Sequence, residues 1–272
     1  MRRQSHGAPR TATPEGADAG RRRWPTRQRV TAGSILVNPV THAPRPRCYA
    51  LVPCAGVGLR AGADVPKQYL PIAGRAMVAH TLQALGRVPR LAATLVVLSP
   101  GDDQFEALAP EFVGQHAWLA RCGGATRAET VANGLAELAL RGVQANDWVL
   151  VHDAVRCLIR PAWVDRLIDA CWDDEVGGLL AMPVSDTLKE ERDGRVQATL
   201  DRAGKWVAQT PQMFRLTMLR QALAHAGVAV TDEAGAMEAM GHAPKLVAGE
   251  LENFKPTWPA DIALADRLLH NS

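Results

Sequence analysis

From residue 48 onward, apolar runs short enough for strands alternate with segments whose apolar residues recur at helical spacing. The runs are CYALVP (48–53), ATLVVLS (93–99), HAWLARC (116–122), DWVLVHD (147–153) and GGLLAMPV (177–184). Near-continuous apolar runs of this length suit strands buried on both faces. Between them, 77–85, 103–108, 127–140 and 162–171 carry the helical pattern. The alternation predicts an α/β fold, a parallel sheet flanked by helices. The stretch TLKEERDGRVQATLDR (187–202) breaks the rhythm and predicts two polar strands around a turn at Asp193-Gly194. Such an arm (about 185–207) has little core of its own. It either packs on a partner, as a dimer arm would, or stands as a solvated hairpin.

In sheets of this kind the ligand crevice lies at the carboxyl ends of the strands, so the residues just after each run matter most. The first run leads into a loop with Gly56, Gly58 and Gly62, then Pro66 and Lys67. Glycines let a backbone turn tightly and offer N–H groups to an anion. The loop is not a dinucleotide fingerprint, because the third glycine is misplaced and Pro66 stops a helix from running off it. It is not a P-loop either, since no Gly-Lys-Ser/Thr comes after it. Arg60 and Lys67 flank the bend. Phosphoryl and nucleotidyl transfer chiefly require positioning and charge neutralisation, which two cations on a bent loop supply. Lysine is scarce here, five among 31 Lys+Arg, which favours a functional Lys67 over a solvated turn.

Asp153 closes the fourth run, where its carboxylate can hold a divalent cation carried by phosphates. His152 beside it points to the other face by strand alternation and reads as a core or supporting residue. After the third run, Gly123-Gly124, Arg127 and Thr130 put a bend, a cation and a hydroxyl at the start of a helix, a place that favours anions but also occurs without any ligand.

Composition narrows the classes. The chain has 272 residues, 47 % hydrophobic and 22 % charged, an ordinary globular balance with no membrane-length apolar run. Ten arginines against Glu15 and Asp18 put +8 in residues 1–47, which leaves −5 on the remainder of a chain whose total is +3. That Pro-, Gly-, Thr- and Ala-rich segment has no apolar period and reads as a disordered basic extension. A transit peptide, a nucleic-acid arm or a stretch upstream of the true start are the alternatives. Residues 48–272 form the expected folded domain. Nucleic-acid and membrane partners have no support in it, since the basic run lies in the extension. Five cysteines without a C-x-x-C pair argue against a disulfide framework or structural zinc and for a reducing cytoplasm. Cys54 reads as a packing residue, with no general base beside it.

Seven motifs then occur in order: PCAGVGLRAGADVPKQYL, GGATRAET, VHDAVR, SDTLKE, DRAGKWVAQTPQMF, TDEAGAMEAMG and ENFKPTWPADI. Together they resemble the 2-C-methyl-D-erythritol 4-phosphate cytidylyltransferases of isoprenoid biosynthesis, over residues 48 to about 268. The resemblance implies a Rossmann-like, glycosyltransferase-A-like nucleotidyltransferase sheet with a protruding arm, working as a homodimer. It implies transfer of CMP from CTP to the substrate phosphate with release of pyrophosphate, in the presence of magnesium or another divalent cation. Arg60 and Lys67 then stabilise the transition state. Cys54, Ala55, Gly56 and Gly58 belong to the nucleotide loop, and Gly124, Ala125 and Thr130 to the cytosine-reading segment. Arg127 braces that loop or contacts the nucleotide, while Asp153 and Ala154 fall where ribose and metal bind. Arg156, Thr187, Arg202, Thr210, Thr231 and Lys255 are expected at the methylerythritol phosphate, the arm residues reaching the neighbouring subunit's site.

Four residues depart from the family pattern: Cys54 for alanine, Thr130 for serine, Cys157 for proline, and Trp258 for arginine or another polar residue. Thr130 keeps the hydroxyl; Trp258 changes the contacts beside Lys255. The related ribitol 5-phosphate cytidylyltransferase is the nearest alternative, and a nucleotide-binding protein without catalysis is the alternative from another class. The site's cations in an otherwise acidic body suit two polyanionic substrates.

Overall fold

The computed structural model describes residues 45–56, 65–227 and 230–270. Five strands lie on the predicted runs: β1 (Cys48–Pro53), β4 (Leu91–Val97), β5 (Ala117–Ala120), β6 (Trp148–Val151) and β7 (Gly177–Pro183). Four helices match the predicted spacing: α1 (Met77–Gly86), α2 (Phe105–Leu108), α3 (Arg127–Leu140) and α4 (Pro161–Cys171). A small hairpin, β2 (Pro71–Ile72) and β3 (Arg75–Ala76), precedes α1. The arm consists of β8 (Leu188–Arg192) and β9 (Arg195–Leu200). Then come β10 (Trp206–Arg215), α5 (Leu216–Ala226), α6 (Glu233–Ala239), β11 (Lys245–Ala248) and α7 (Pro259–His270).

Local chemistry sets several boundaries. Thr126 and Glu129 form a reciprocal capping box that starts α3 at Arg127. Pro161 at the first position starts α4, where its missing N–H costs nothing. Asp102 Oδ1 accepts from the N–H groups of Gln104 and Phe105, so α2 begins at Phe105 instead of at residue 103. Asp193 and Gly194 both take positive φ, 52° and 75°, the twist that a two-residue turn between β8 and β9 requires.

The main sheet runs β11-β7-β10-β6-β1-β4-β5. All neighbours are parallel except β10, which is antiparallel to β6 and to β7. Alternate residues of β1 enter opposite layers. Cys48, Ala50 and Val52 join α1 and α4, whereas Tyr49 and Leu51 join α3, α5 and α6. Each fully buried Leu or Val contributes roughly 1.5–3 kcal/mol, and Leu51, Leu95, Leu135 and Leu150 are among those with no exposure. The third apolar cluster, with Ile72, Met77, Cys157 and Ala265, seats α7 against the hairpin side.

The β10 strand was not read as an element from the sequence. Pro211 within it carries no N–H for a ladder, and the pairing of β10 with β7 is interrupted between Ala208 and Gln212. The arm strands pair with each other and not with the main sheet. Among the described residues no helix is long and apolar enough to cross a membrane.

Candidate active site

Asp153 lies just past the carboxyl end of β6 and is the residue on which the site converges. Its side chain is 9 % exposed. Arg127 Nε lies 3.1 Å from Oδ1, while Arg156 Nε at 3.3 Å and Lys255 Nζ at 3.1 Å share Oδ2. Burial opposes the charge of this carboxyl, yet Arg127, Lys255 and Arg156 hold its pKa well below the usual carboxylate range. It is an ionised acid inside a ring of cations. The backbone of Asp153 is fixed as well: its N–H donates to Thr210 Oγ1 at 3.0 Å. The Thr210 proton then faces His152 Nδ1 at 3.0 Å, and His152 Nε2–H faces the Arg156 carbonyl at 3.3 Å. Burial pushes the His152 imidazole down to about 4. It is a neutral supporting residue in the interior, as its position on the strand suggested.

The cations around Asp153 have second anchors of their own. Arg127 grips Glu233 through both terminal nitrogens, at 2.7 and 3.1 Å. Arg156 donates to the Asn253 carbonyl at 2.6 Å. Asn253 is fully buried and donates from Nδ2 to the Thr210 carbonyl at 2.8 Å, which ties the segment leading to Lys255 onto β10.

Lys67 opens a single 3-10 turn, Lys67–Tyr69, directly after Pro66. Burial and the nearby ammonium of Lys255 lower its pKa, against the opposing pull of Asp261 and Asp153. Lys67 therefore belongs to the same electrostatic cluster. The turn is clamped by its next two residues. Gln68 Nε2 donates to the carbonyls of Cys54 (3.2 Å) and Gly56 (2.9 Å), and Tyr69 Oη donates to Asp102 Oδ2 at 2.5 Å. Cys54 is 2 % exposed, and burial pushes its thiol up, so it packs and does not act as a nucleophile. Gly58 and Arg60 lie outside the described residues.

The second loop lies against the first. A Cβ on Gly123 would meet Ala55 Cβ and, at 2.8 Å, the Leu98 carbonyl, so only glycine lets these two loops approach so closely. Gly124 is equally crowded by Glu129. Thr130 is 3 % exposed; its hydroxyl accepts from the Gly124 N–H at 3.1 Å and donates to the Thr126 carbonyl at 2.9 Å. Ala125 N–H donates to Glu129 Oε2 at 2.8 Å. Thr130 thus shapes the Gly124 loop from within.

Of the residues expected at the polyol phosphate, Lys255 and Arg156 reach Asp153. Thr210 and Arg156 are buried; the Thr210 hydroxyl accepts from the Asp153 N–H, and Arg156 bonds Asp153 Oδ2 through Nε and the Asn253 carbonyl through Nη1. Ala154 is buried, and its carbonyl accepts from Thr81 Oγ1 at 2.9 Å. Thr231 is exposed just before α6. Thr187 and Arg202 are exposed on the arm, where Arg202 donates to the Ser185 carbonyl. Within one chain neither is joined to the Asp153 cluster by a bond between described residues. Cys157 is buried, and burial pushes its thiol up to about 12. Trp258 is 66 % exposed beside Lys255, and its N–H donates to Asp261 Oδ2 at 2.8 Å.

Sequence reading did not single out Glu233, Gln68 or Asn253. All three stand inside quoted motifs, but side chains that bond backbone or other side chains leave no periodic signal.

A sequence model of the 2-C-methyl-D-erythritol 4-phosphate cytidylyltransferase (IspD) family matches residues 48–271. The chain belongs to this family. It is 60 % identical over 224 residues to a bifunctional enzyme IspD/IspF of Albidiferax ferrireducens, covering 82 % of this chain and 53 % of that relative. It is 55 % identical to the 2-C-methyl-D-erythritol 4-phosphate cytidylyltransferase of Laribacter hongkongensis, covering 82 % of this chain and 96 % of the relative. Its fold matches a crystal structure of a 4-diphosphocytidyl-2C-methyl-D-erythritol synthase with a TM-score of 0.74 at 38 % identity, over 82 % of this chain and 99 % of the other. As a member, the chain is a cytidylyltransferase with the expected α/β sheet, and the ribitol 5-phosphate alternative is not favoured.

Proposed function

We propose that the chain transfers CMP from CTP to 2-C-methyl-D-erythritol 4-phosphate at the Asp153 cluster. A phosphate oxygen of the polyol attacks the α-phosphorus of CTP, a new P–O bond forms, and the bond to pyrophosphate breaks. No covalent enzyme intermediate is required. The observation that carries this reading is an ionised, buried carboxylate at the carboxyl edge of the sheet, bonded to Arg127, Arg156 and Lys255, with Lys67 in the same field. Such a centre holds polyphosphate charge with little rearrangement. Lys67, with Arg60, neutralises charge that gathers on the α-phosphate. Gly56 offers backbone to the triphosphate, and the Gly124–Ala125 loop borders the base.

Asp153 fits a magnesium ion as a single protein ligand, since such ions take one or two carboxylates and complete their shell with phosphate oxygens and water. Among the described residues no cluster of three or more His, Cys, Asp or Glu side chains holds a metal independently of substrate. The ion, when bound, neutralises phosphate charge and orients the triphosphate. Lys255 is 44 % exposed and is the cation on Asp153 best able to turn towards a substrate phosphate.

The arm supports a homodimer. Val196 and Leu200 of β9 are 65 % and 43 % exposed on a two-stranded sheet that has no core of its own. A second copy would cover them and bring Thr187 and Arg202 to a neighbouring site.

Labelled CTP offered with each polyol phosphate in turn tests the assignment. The expected result is CMP transfer to the methylerythritol phosphate; faster turnover of ribitol 5-phosphate would overturn it.

A further inference from the structure

Glu233 has no assigned part in the chemistry, yet it is 1 % exposed and both its oxygens bond Arg127. Its backbone is anchored from below. At the start of α6, Ala234 N–H donates to Gln212 Oε1 at 2.8 Å, and Gln212 Nε2 donates to Asp232 Oδ2 at 2.9 Å. Gln212 is itself paired with Val151 at the end of β6, two residues before Asp153. The bidentate grip fixes the plane of the Arg127 guanidinium, because turning it would break two bonds at once. With the terminal nitrogens taken, Nε is the donor that faces Asp153 Oδ1.

We propose that Glu233 is a positioning residue of the transfer reaction, which through Arg127 holds the Asp153 carboxylate in the orientation that receives the metal-bound triphosphate. The inference rests on the function proposed above. Asp153 is gripped from two sides by guanidiniums with second anchors, Arg127 at Glu233 and Arg156 at the Asn253 carbonyl. The third cation, Lys255, is left as the adjustable member. The same contact joins the first residue of α3, beside the Gly124 loop, to the first residue of α6, two places after Thr231. The segments proposed for nucleotide and polyol are thereby held to one carboxylate.

The alternative is a buried ion pair that only ties α3 to α6. A double-mutant cycle separates the two, with CTP affinity measured by calorimetry in magnesium and melting temperature as the fold control. Glu233→Gln is expected to weaken CTP binding about tenfold, the lower end for a residue that orients a metal ligand. In an Asp153→Asn background the same change is expected to cost less than about twofold, since the group being oriented has lost its charge. Equal losses in both backgrounds, or wild-type affinity in Glu233→Gln, would overturn the proposal. Should Asp153→Asn alone leave CTP affinity unchanged, the nucleotide site is elsewhere and the function reading falls with it. If Glu233→Gln does not fold, Arg127→Lys takes its place under the same criteria, because one ammonium cannot serve both carboxylates.

Discussion

The side-chain amide of Gln68 donates to the carbonyl of Gly56 at 2.9 Å, so the residue next to Lys67 holds Gly56, at the end of the segment that leaves β1. The same amide reaches the Cys54 carbonyl at 3.2 Å. The lysine turn is therefore tied to Cys54 and Gly56, although twelve positions separate Gly56 from Gln68. Lys67 in this turn shares a field with Lys255, Asp261 and Asp153.

Gln68→Glu replaces the donor with an acceptor facing two carbonyl oxygens. The unmade hydrogen bonds are expected to cost about 1–3 kcal/mol. Steady-state kinetics should show a raised KM for CTP, with the KM for the polyol phosphate changing less. Equal changes in both would disconnect the clamp from the nucleotide.

Lys67→Ala is expected to slow pyrophosphate release about 10²–10³-fold, the usual consequence of removing one donor aimed at developing charge. The partly exposed side chain contributes little to the core, so the melting temperature should stay close to that of the parent chain. Near-normal turnover would remove Lys67 from the chemistry.

The sign of the Lys67 shift sets the pH profile. Lys67 must be protonated to stabilise the phosphate, and its pKa is lowered by burial and Lys255. Activity should thus fall on an alkaline limb below the ordinary lysine value. Asp261 acts in the opposite direction, raising the Lys67 pKa. Asp261→Asn removes that support and should move the limb to lower pH; a shift to higher pH, or none, would contradict the coupling.

Two glycines separate ligand effects from fold effects. A Cβ on Gly56 meets no described protein atom within 4 Å, whereas one on Gly123 meets Ala55 and the Leu98 carbonyl. Gly123→Ala should destabilise the chain by about 1–3 kcal/mol through overpacking. Gly56→Ala should keep the parent melting temperature and weaken CTP binding, which thermal melts and calorimetry on the two variants will show.

The strands were legible because they are apolar runs, and β1 and α3 begin and end where periodicity puts them; their order was not, since β6 lies between β1 and β10 and β7 between β10 and β11. β10 was not legible, because Pro211 and Gln209 interrupt the apolar pattern in a strand that enters the sheet antiparallel. In the site, Asp153 and Lys67 stood out by position, at a strand end and after a glycine loop. Glu233 and Asn253 did not, since their roles depend on contacts across about a hundred residues of chain. Thr210 and Arg156 were assigned to substrate by resemblance, and only the fold shows the bonds that tie them to Asp153.

The most direct measurement is a crystal structure with CTP and magnesium bound. The α-phosphate is expected within hydrogen-bond reach of Lys67 Nζ, and the metal on the Asp153 carboxylate. A triphosphate held away from both residues would contradict the proposed site.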